Sequence, residues 1–480
     1  MPREIPVSVK NIHLMGVCGT GMGAFAGLLK EAGYNVRGSD AGVYPPMSTQ
    51  LEKEGIELME GYRPQNLAPH PDLVVVGNVI RRDNLEAAEV RAQDLCYASF
   101  PETLGELFLK HRHPVVVAGT HGKTTTCSLL AHLYYELGTD PGFLVGGVLE
   151  NFGKNYRVGR EGGPFVVEGD EYDTAYFDKV PKFVHYRPQS AILTSVEFDH
   201  ADIYRDLDHV KEAFNSFVDL IPSDGILLAC ADGSHVAEIA DRCGGQVEYY
   251  STRDAAGALW SARVISADPA GMSFEVRKAN QALGTFRACL VGEHNLANLC
   301  AVIALLCHQG HAVKDIAAAL SSYQGVRRRQ TVFAEPRGIT LIDDFAHHPT
   351  AVKATIAATR LRFGANRRLW TVFEPRTNTT RRSFFQTEYG RAFNDTQHLL
   401  VAPVHRAEAI AAEERFDPDR LVLDVQQQGV HASLCSSVEE IVARLSAETR
   451  SGDIVLILSN GGFEGIYEKL PAALEPATSR

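Results

Sequence analysis

The stretch Val115-Val116-Val117-Ala118-Gly119-Thr120-His121-Gly122-Lys123-Thr124-Thr125-Thr126 decides the fold. Four apolar residues ending at a glycine read as a short strand buried on both faces, and the pattern beyond Gly122 reads as a helix through Ser128 to Leu137. Between them lies a loop built for phosphate. Gly119 and Gly122 let backbone N–H groups approach phosphate oxygens, the Lys123 ammonium offsets charge on the outer phosphates, and the Thr124 hydroxyl suits magnesium. The loop departs from the usual G-x-x-x-x-G-K-[ST] pattern in one place, with Val117 where the first glycine would stand. A bare turn before a helix would explain the glycines, but not the lysine and threonine in register with them.

Downstream, Phe165-Val166-Val167 runs into Glu168, Asp170, Glu171 and Asp173, four carboxylates in six residues. An acidic surface loop is the bland reading. Such crowding is unfavourable without a cation, however, and Glu168, first after the apolar run, stands where an acidic group meets magnesium beside a phosphate loop. His200 in Asp199-His200 follows another apolar run, Ala191 to Val196, so it too falls at a strand end, where ligands gather in open α/β sheets.

Upstream, Gly16-Val17-Cys18-Gly19-Thr20-Gly21-Met22-Gly23 with Asp40 further on has the form of a dinucleotide fingerprint. It admits an NAD-dependent dehydrogenase. It equally admits the diphosphate of a UDP-sugar, since pyrophosphate is what such a loop recognises, and the loop at Gly119–Thr124 has no place in a simple dehydrogenase.

A chain of 480 residues exceeds one hydrophobic core, so three α/β domains are expected: 1–110, 111–326 and 327–480. In the first, Val36-Arg37-Gly38-Ser39-Asp40 and Leu73 to Val76 read as parallel strands after the glycine loop. In the second, strands are expected at Pro164–Val167, Ala191–Val196 and Gly225–Ala229, a helix at Asn295–Leu306, and an antiparallel addition of short strands over Gln246–Cys289. In the third, strands are expected at Ile339–Ile342, Leu369–Phe373, His398–Val401 and Asp453–Ile457.

The net charge of -12 opposes diffuse binding to nucleic acid or anionic lipid. The opening residues do not read as a signal peptide, and no apolar run reaches the about 18 residues a spanning helix needs, so a cytoplasmic protein is expected. The nine cysteines are scattered, which favours neither disulfides nor a zinc site. Cys18, inside the glycine loop, reads as a small packing residue.

Taken in order, these motifs resemble those of the Mur ligase family across nearly the whole chain. The match runs from Gly16–Gly23 with Ser39-Asp40, through Gly119–Thr125, Glu168–Asp173 and Asp199-His200-Ala201-Asp202, to Gly292-Glu293-His294-Asn295-Leu296-Ala297-Asn298. It continues through Arg327-Arg328-Arg329 and Asp343-Asp344-Phe345-Ala346-His347-His348-Pro349. The resemblance implies a Rossmann-like UDP-binding domain, a P-loop ATPase-like domain and a Rossmann-like C-terminal domain. It further implies an ATP- and Mg2+-dependent ligase that makes an amide through an acyl phosphate.

On that resemblance Lys123, Glu168 and His200 are catalytic, and Thr124, Glu168 and His200 hold metal. ATP meets Gly119, Thr120, His121, Gly122, Lys123, Thr124, Thr125, His294, Asn295, Asn298, Arg328 and Asp344. Gly16, Cys18, Gly19, Thr20, Gly21, Met22, Ser39 and Asp40 take the UDP-sugar, while Arg376, Asn378 and His348 take a peptide. Some members carry a carbamoylated lysine between the metals, and no lysine here is assigned to that role.

Three stretches, Val43–Leu51, Phe373–Asn378 and Ser459–Phe463, resemble the branch that adds a preformed L-Ala-γ-D-Glu-meso-diaminopimelate tripeptide to UDP-N-acetylmuramate in peptidoglycan recycling. The branch that adds L-alanine to the same sugar is the nearest alternative. A non-catalytic UDP-sugar-binding protein on the same fold is a further one. The expected partners are small molecules only, with the chain a monomer or weak homo-oligomer, opening and closing about linkers near His111 and Gly325.

Overall fold

A computed structural model describes residues 4–44, 47–201 and 203–475. Pro45, Pro46 and Asp202, each within a stretch quoted above, lie outside the described residues. The chain folds into three sheets. The first has the order Glu57–Glu60, Asn35–Asp40, Asn11–Met15, Leu73–Val76, Tyr97–Ser99, all parallel. Its centre is apolar on both faces: Leu73 and Val75 feed one core while Val74 and Val76 feed another. Parallel strands covered by helices require that double burial.

The second sheet has ten strands. His113–Ala118 sits between Ser190–Leu193 and Pro164–Gly169 and is parallel to both, so the carboxyl ends of all three open on one edge. Val115 and Val117 pack in one core and Val116 and Ala118 in another, the period-two division of a central strand. The third sheet runs Thr331–Ala334, Thr340–Asp344, Ile454–Leu458, Leu369–Phe373, His398–Val401, His431–Leu434, parallel except at its first pair.

Several expectations are corrected. Gln246–Ser251 is not part of an antiparallel addition: it pairs parallel with Ile226–Cys230 and extends the main sheet, and Trp260–Asp268 begins parallel to it. The antiparallel portion is the ribbon of Trp260–Asp268, Gly271–Lys278 and Gln281–Ala288, whose strands of eight or nine residues are not short. The strand expected to reach Val196 stops at Leu193, because Thr194 turns its hydroxyl back to the carbonyls of Ala118 and His121. The hairpin Gly142–Leu149 with Lys154–Arg157 and the edge strands Thr331–Ala334 and His431–Leu434 lacked the apolar runs that mark strands, being half-exposed or glycine-bearing.

The hairpin positions the first sheet on the second. Gly27, inside the helix Thr20–Glu31, lies so close to Tyr156 that a Cβ there would stand 2.4 Å from the ring's Cζ. At the helix end Glu31 takes the Lys154 ammonium and accepts the Val158 amide at 3.0 Å. Gly27→Val should therefore cost about 1–3 kcal/mol through overpacking, read as a lower urea midpoint, with Gly21→Ala, where a Cβ meets nothing within 4 Å, as the silent comparison.

Candidate functional site

The three sheets open on a common cleft of about 2200 Å³. At its centre the helix Lys123–Glu136 starts from Gly122, whose φ of 84° suits glycine, and no side chain caps it. The first-turn amides are thereby left for an anion. Asn298 closes in on the loop: a Cβ on Gly122 would lie 2.7 Å from its Oδ1. The segment after the strand Ser190–Leu193 holds the loop from the other side, with His121 N donating to Ser195 Oγ at 3.0 Å and Thr120 N to the Ser195 carbonyl at 3.0 Å.

Lys123 Nζ donates to the Gly119 carbonyl at 2.7 Å and to Glu171 Oε2 at 2.9 Å, with Asp170 at 3.9 Å. Burial alone would lower its pKa, yet Glu171 and Asp170 hold it above the usual lysine value, so the ammonium is charged. Glu168 accepts Thr124 Oγ1 at 3.0 Å and the Gly146 amide at 2.5 Å. Burial, then Asp170, push its carboxyl up from the ordinary value. His200 Nε2 lies 3.5 Å from Glu171 Oε1, and His200 itself adopts φ 51°, a strained backbone of the kind that gathers at functional sites. Thr124 and Glu168 thus offer adjoining oxygen donors, with Lys123 and Arg329 acting on Glu168 only through space, which fits a hard divalent cation, and His200 stands beside the same carboxylate group.

In the first sheet's loop, Gly16 and Val17 donate their amides to the Ser39 carbonyl, and Gly19 precedes the uncapped helix Thr20–Glu31. Gly16, Cys18, Gly19, Thr20, Gly21, Met22 and Asp40 line the cleft. Ser39 does not: its fully buried hydroxyl donates to Glu86 at 2.8 Å, so it supports the loop from beneath instead of meeting a ligand. Asp40, within the cleft, also orders the loop, its carboxylate accepting Cys18 N at 2.8 Å and Gly42 N at 3.2 Å. Burial, followed by Asp40 and Glu52, pushes the Cys18 thiol up to about 11, consistent with a packing residue.

His294, Asn295 and Asn298 come to the cleft on the helix Glu293–His308. From the third sheet come Arg328, Asp344, His347 and His348. Arg328, with φ 62°, turns its guanidinium into its own domain, onto Asp343 at 2.9 Å, the Ser459 carbonyl at 2.8 Å and Tyr467 at 2.9 Å. Its neighbour Arg329 is the one that reaches Thr124 Oγ1, at 3.4 Å. Asp344 is buried and accepts the amides of Gln330 and Ala346, both at 2.8 Å, so it shapes the linker turn.

His348 caps the helix Pro349–Phe363 and donates Nε2–H to the Phe198 carbonyl at 3.2 Å. Arg376 and Asn378 stand back from the cleft. Arg376 binds Glu374 at 3.2 Å and fills the space over cleft-lining Gly461, while Asn378 accepts Arg381 at 2.6 Å. Glu171, Arg329 and Glu197 were missed as site residues. Glu171 was visible only as one of a run of carboxylates, and Glu197 follows its strand without any motif.

The Mur ligase models match all three parts of the chain: the "Mur ligase family, catalytic domain" over residues 11–112, the "Mur ligase middle domain" over 117–306 and the "Mur ligase, glutamate ligase domain" over 327–461. The chain belongs to the Mur ligase family. It is 38% identical, over 96% of its length and 97% of the relative's, to an Escherichia coli (strain K12) protein named UDP-N-acetylmuramate--L-alanyl-gamma-D-glutamyl-meso-2,6-diaminoheptandioate ligase. A Myxococcus xanthus protein named UDP-N-acetylmuramate--L-alanine ligase is 34% identical over 96% of this chain and 94% of that one. A crystal structure of a murein peptide ligase from Psychrobacter arcticus superposes with a TM-score of 0.72 at 36% identity, covering 98% of this chain and 99% of that one.

Burial lowers two cleft histidines, His294 and His348, to about 4 each. Both are neutral in the folded protein, so the unfolded chain binds more protons between pH 6.5 and 4 and stability must fall as the pH drops through that window. Thermal melting should show that loss. His348→Asn, which removes one of the two groups, should make the melting temperature less steep in pH between 6.5 and 4.

Proposed function

We propose that this chain uses ATP to join the tripeptide L-alanyl-γ-D-glutamyl-meso-diaminopimelate to UDP-N-acetylmuramate. The observation that carries this reading is the single cleft in which a sugar-nucleotide loop, a phosphate loop and the third domain's histidines meet. The likeness to relatives named for that reaction, over nearly the full length of both chains, supports the choice of substrates.

An amine cannot displace oxide from a carboxylate, so the lactyl acid is first converted to an acyl phosphate with ATP. The loop amides from Gly122 to Thr125 and the Lys123 ammonium bind the phosphates, and catalysis is largely positioning and charge compensation. Thr124 and Glu168, with His200 beside them, would hold magnesium, which when bound would supply neutralisation of the phosphoryl oxygens. Glu171 keeps Lys123 in place when no phosphate claims it.

In the second half the tripeptide amine attacks the acyl carbon and phosphate leaves. His347 lines the cleft and donates Nδ1–H to the Phe345 carbonyl at 3.1 Å, which leaves Nε2 with its lone pair. Burial keeps its pKa below the ordinary histidine value, so it is neutral at pH 7 and is the base that takes the amine's proton. Arg376, behind Gly461, and Asn378 take the peptide's distant carboxylate after Arg376 leaves Glu374. Among the described residues no helix is long and apolar enough to cross a membrane. One chain supplies every group named here, so the proposed reaction needs no second copy, and it is assigned to a monomer or weak homo-oligomer acting in the cytosol, with domains at 1–110, 111–326 and 327–480.

Incubation with ATP, magnesium, UDP-N-acetylmuramate and the tripeptide should give the mass-identified UDP-N-acetylmuramoyl-tripeptide and stoichiometric phosphate. Efficient use of L-alanine alone would move the chain to the L-alanine branch. Lys123→Ala should lower turnover by about a thousandfold or more, as loss of a principal charge-stabilising group does; wild-type turnover in that variant would end the reading.

A further inference from the structure

A second lysine enters the carboxylate group from a direction that none of the motifs marks. Lys182 begins the short helical turn Lys182–His185 and donates to Asp170 Oδ2 at 2.8 Å and to the Tyr172 hydroxyl at 3.3 Å. Its ammonium lies 4.4 Å from the Tyr172 ring centre and 5.5 Å from that of Phe100. Phe100 opens the helix Phe100–Leu104 of the first domain, so Lys182 stands on the seam between the domain that holds the sugar nucleotide and the domain that holds the phosphate loop.

Three features show that it does more than neutralise Asp170. An ammonium has three N–H donors, and the two hydrogen bonds above leave one over. The side chain is only 13% exposed, yet Lys182 lines the cleft, so its ammonium borders a confined space where an opposite charge counts for more than in water. Asp170 has another cation at 3.9 Å in Lys123, so it is not dependent on Lys182 alone. Thr174, which lines the same cleft, has a buried hydroxyl with no hydrogen-bond partner among the described residues.

We infer that Lys182 is the residue that recognises the acid of the sugar nucleotide, holding its carboxylate at the domain seam before phosphoryl transfer. The inference rests on the function proposed above and deepens it by naming the group that distinguishes an acid-bearing UDP-sugar from a neutral one. Tyr172 positions the ammonium. The acid reaches Lys182 from the first domain while the phosphates occupy Lys123, so the two lysines divide the two reactants between them.

The test compares binding of UDP-N-acetylmuramate with that of UDP-N-acetylglucosamine, the same sugar nucleotide without the lactyl acid, by calorimetry. Wild type should prefer the acid-bearing ligand by about tenfold or more, the worth of one charge-assisted hydrogen bond. Lys182→Met should bring the two affinities together while leaving that for UDP-N-acetylglucosamine unchanged, and Lys182→Arg should restore part of the difference. Tyr172→Phe, a gentler change that decides the matter if Lys182→Met does not fold, should lose a few-fold of the preference. A merely structural lysine would weaken both ligands alike. An unchanged preference in Lys182→Met, or in Tyr172→Phe where the methionine variant is unfolded, or no preference in wild type, overturns the inference. Wild-type preference without turnover of the tripeptide would instead overturn the proposed reaction and leave the role of Lys182 standing.

Discussion

The buried ion pair of Lys123 with Glu171 is the constraint on which the site depends. Glu168, Asp170 and Glu171 leave the end of one parallel strand together, and Lys123 opens a helix at the end of the next, so sheet pairing alone forces like and unlike charges into one small volume. Such a group is stable only while each carboxylate has a partner, since removing one member of a buried pair leaves an uncompensated charge. Lys123 serves Glu171, Lys182 serves Asp170, and Glu168 is left with a hydroxyl and an amide. The shortage falls at the one carboxylate adjoining Thr124, which is where a divalent cation does most to relieve it.

Much of this was legible in the sequence because the chemistry is local there. Val115–Thr126 carries a strand, a turn and a helix start in twelve consecutive residues, and each residue type has one physical reason to be in its place. The parallel strands of all three sheets likewise announce themselves as short apolar runs, since both faces are buried. Half-exposed edge strands and the glycine-bearing hairpin at Gly142–Arg157 give no such signal, and Gln246–Ser251, buried unevenly, did not separate by pattern from the antiparallel ribbon after it.

The site residues divide in the same way. Most of those inside a motif line the cleft, Ser39, Arg376 and Asn378 excepted, and Ser39 and Arg328 show why position in a motif does not decide where a side chain goes. Ser39 lies in a strand whose alternation sends its side chain inward to Glu86, and a positive φ at Arg328 sends adjacent arginines to different partners. Neither outcome is a property of the residue type; both are set by backbone direction, which spacing in a motif does not encode. Lys182 and Glu197 act through contacts with residues outside their own stretch of sequence, so nothing near them distinguishes them from surface charge.

Those distant contacts also explain how the third domain is tied to the chemistry. In the segment after the strand Ser190–Leu193, Glu197 accepts Thr350 Oγ1 at 2.6 Å, the Phe198 carbonyl accepts His348, and Asp199 accepts Thr379 Oγ1 at 2.9 Å. The same segment holds the phosphate loop, because Glu197 N donates to Thr120 Oγ1 at 2.8 Å, and it leads directly into His200. Both of its carboxylates stay charged despite their surroundings. Burial opposes ionisation, but His121 holds Glu197 down at about 2 and His200 keeps Asp199 low as well, so both remain acceptors across the physiological range. A shift of the third domain therefore cannot occur without disturbing the segment that positions His121 and His200. The arrangement that brings His347 to the cleft is the one that orders the phosphate loop, and a domain swung away would leave both unsupported, which couples delivery of the amine to readiness of the acyl phosphate.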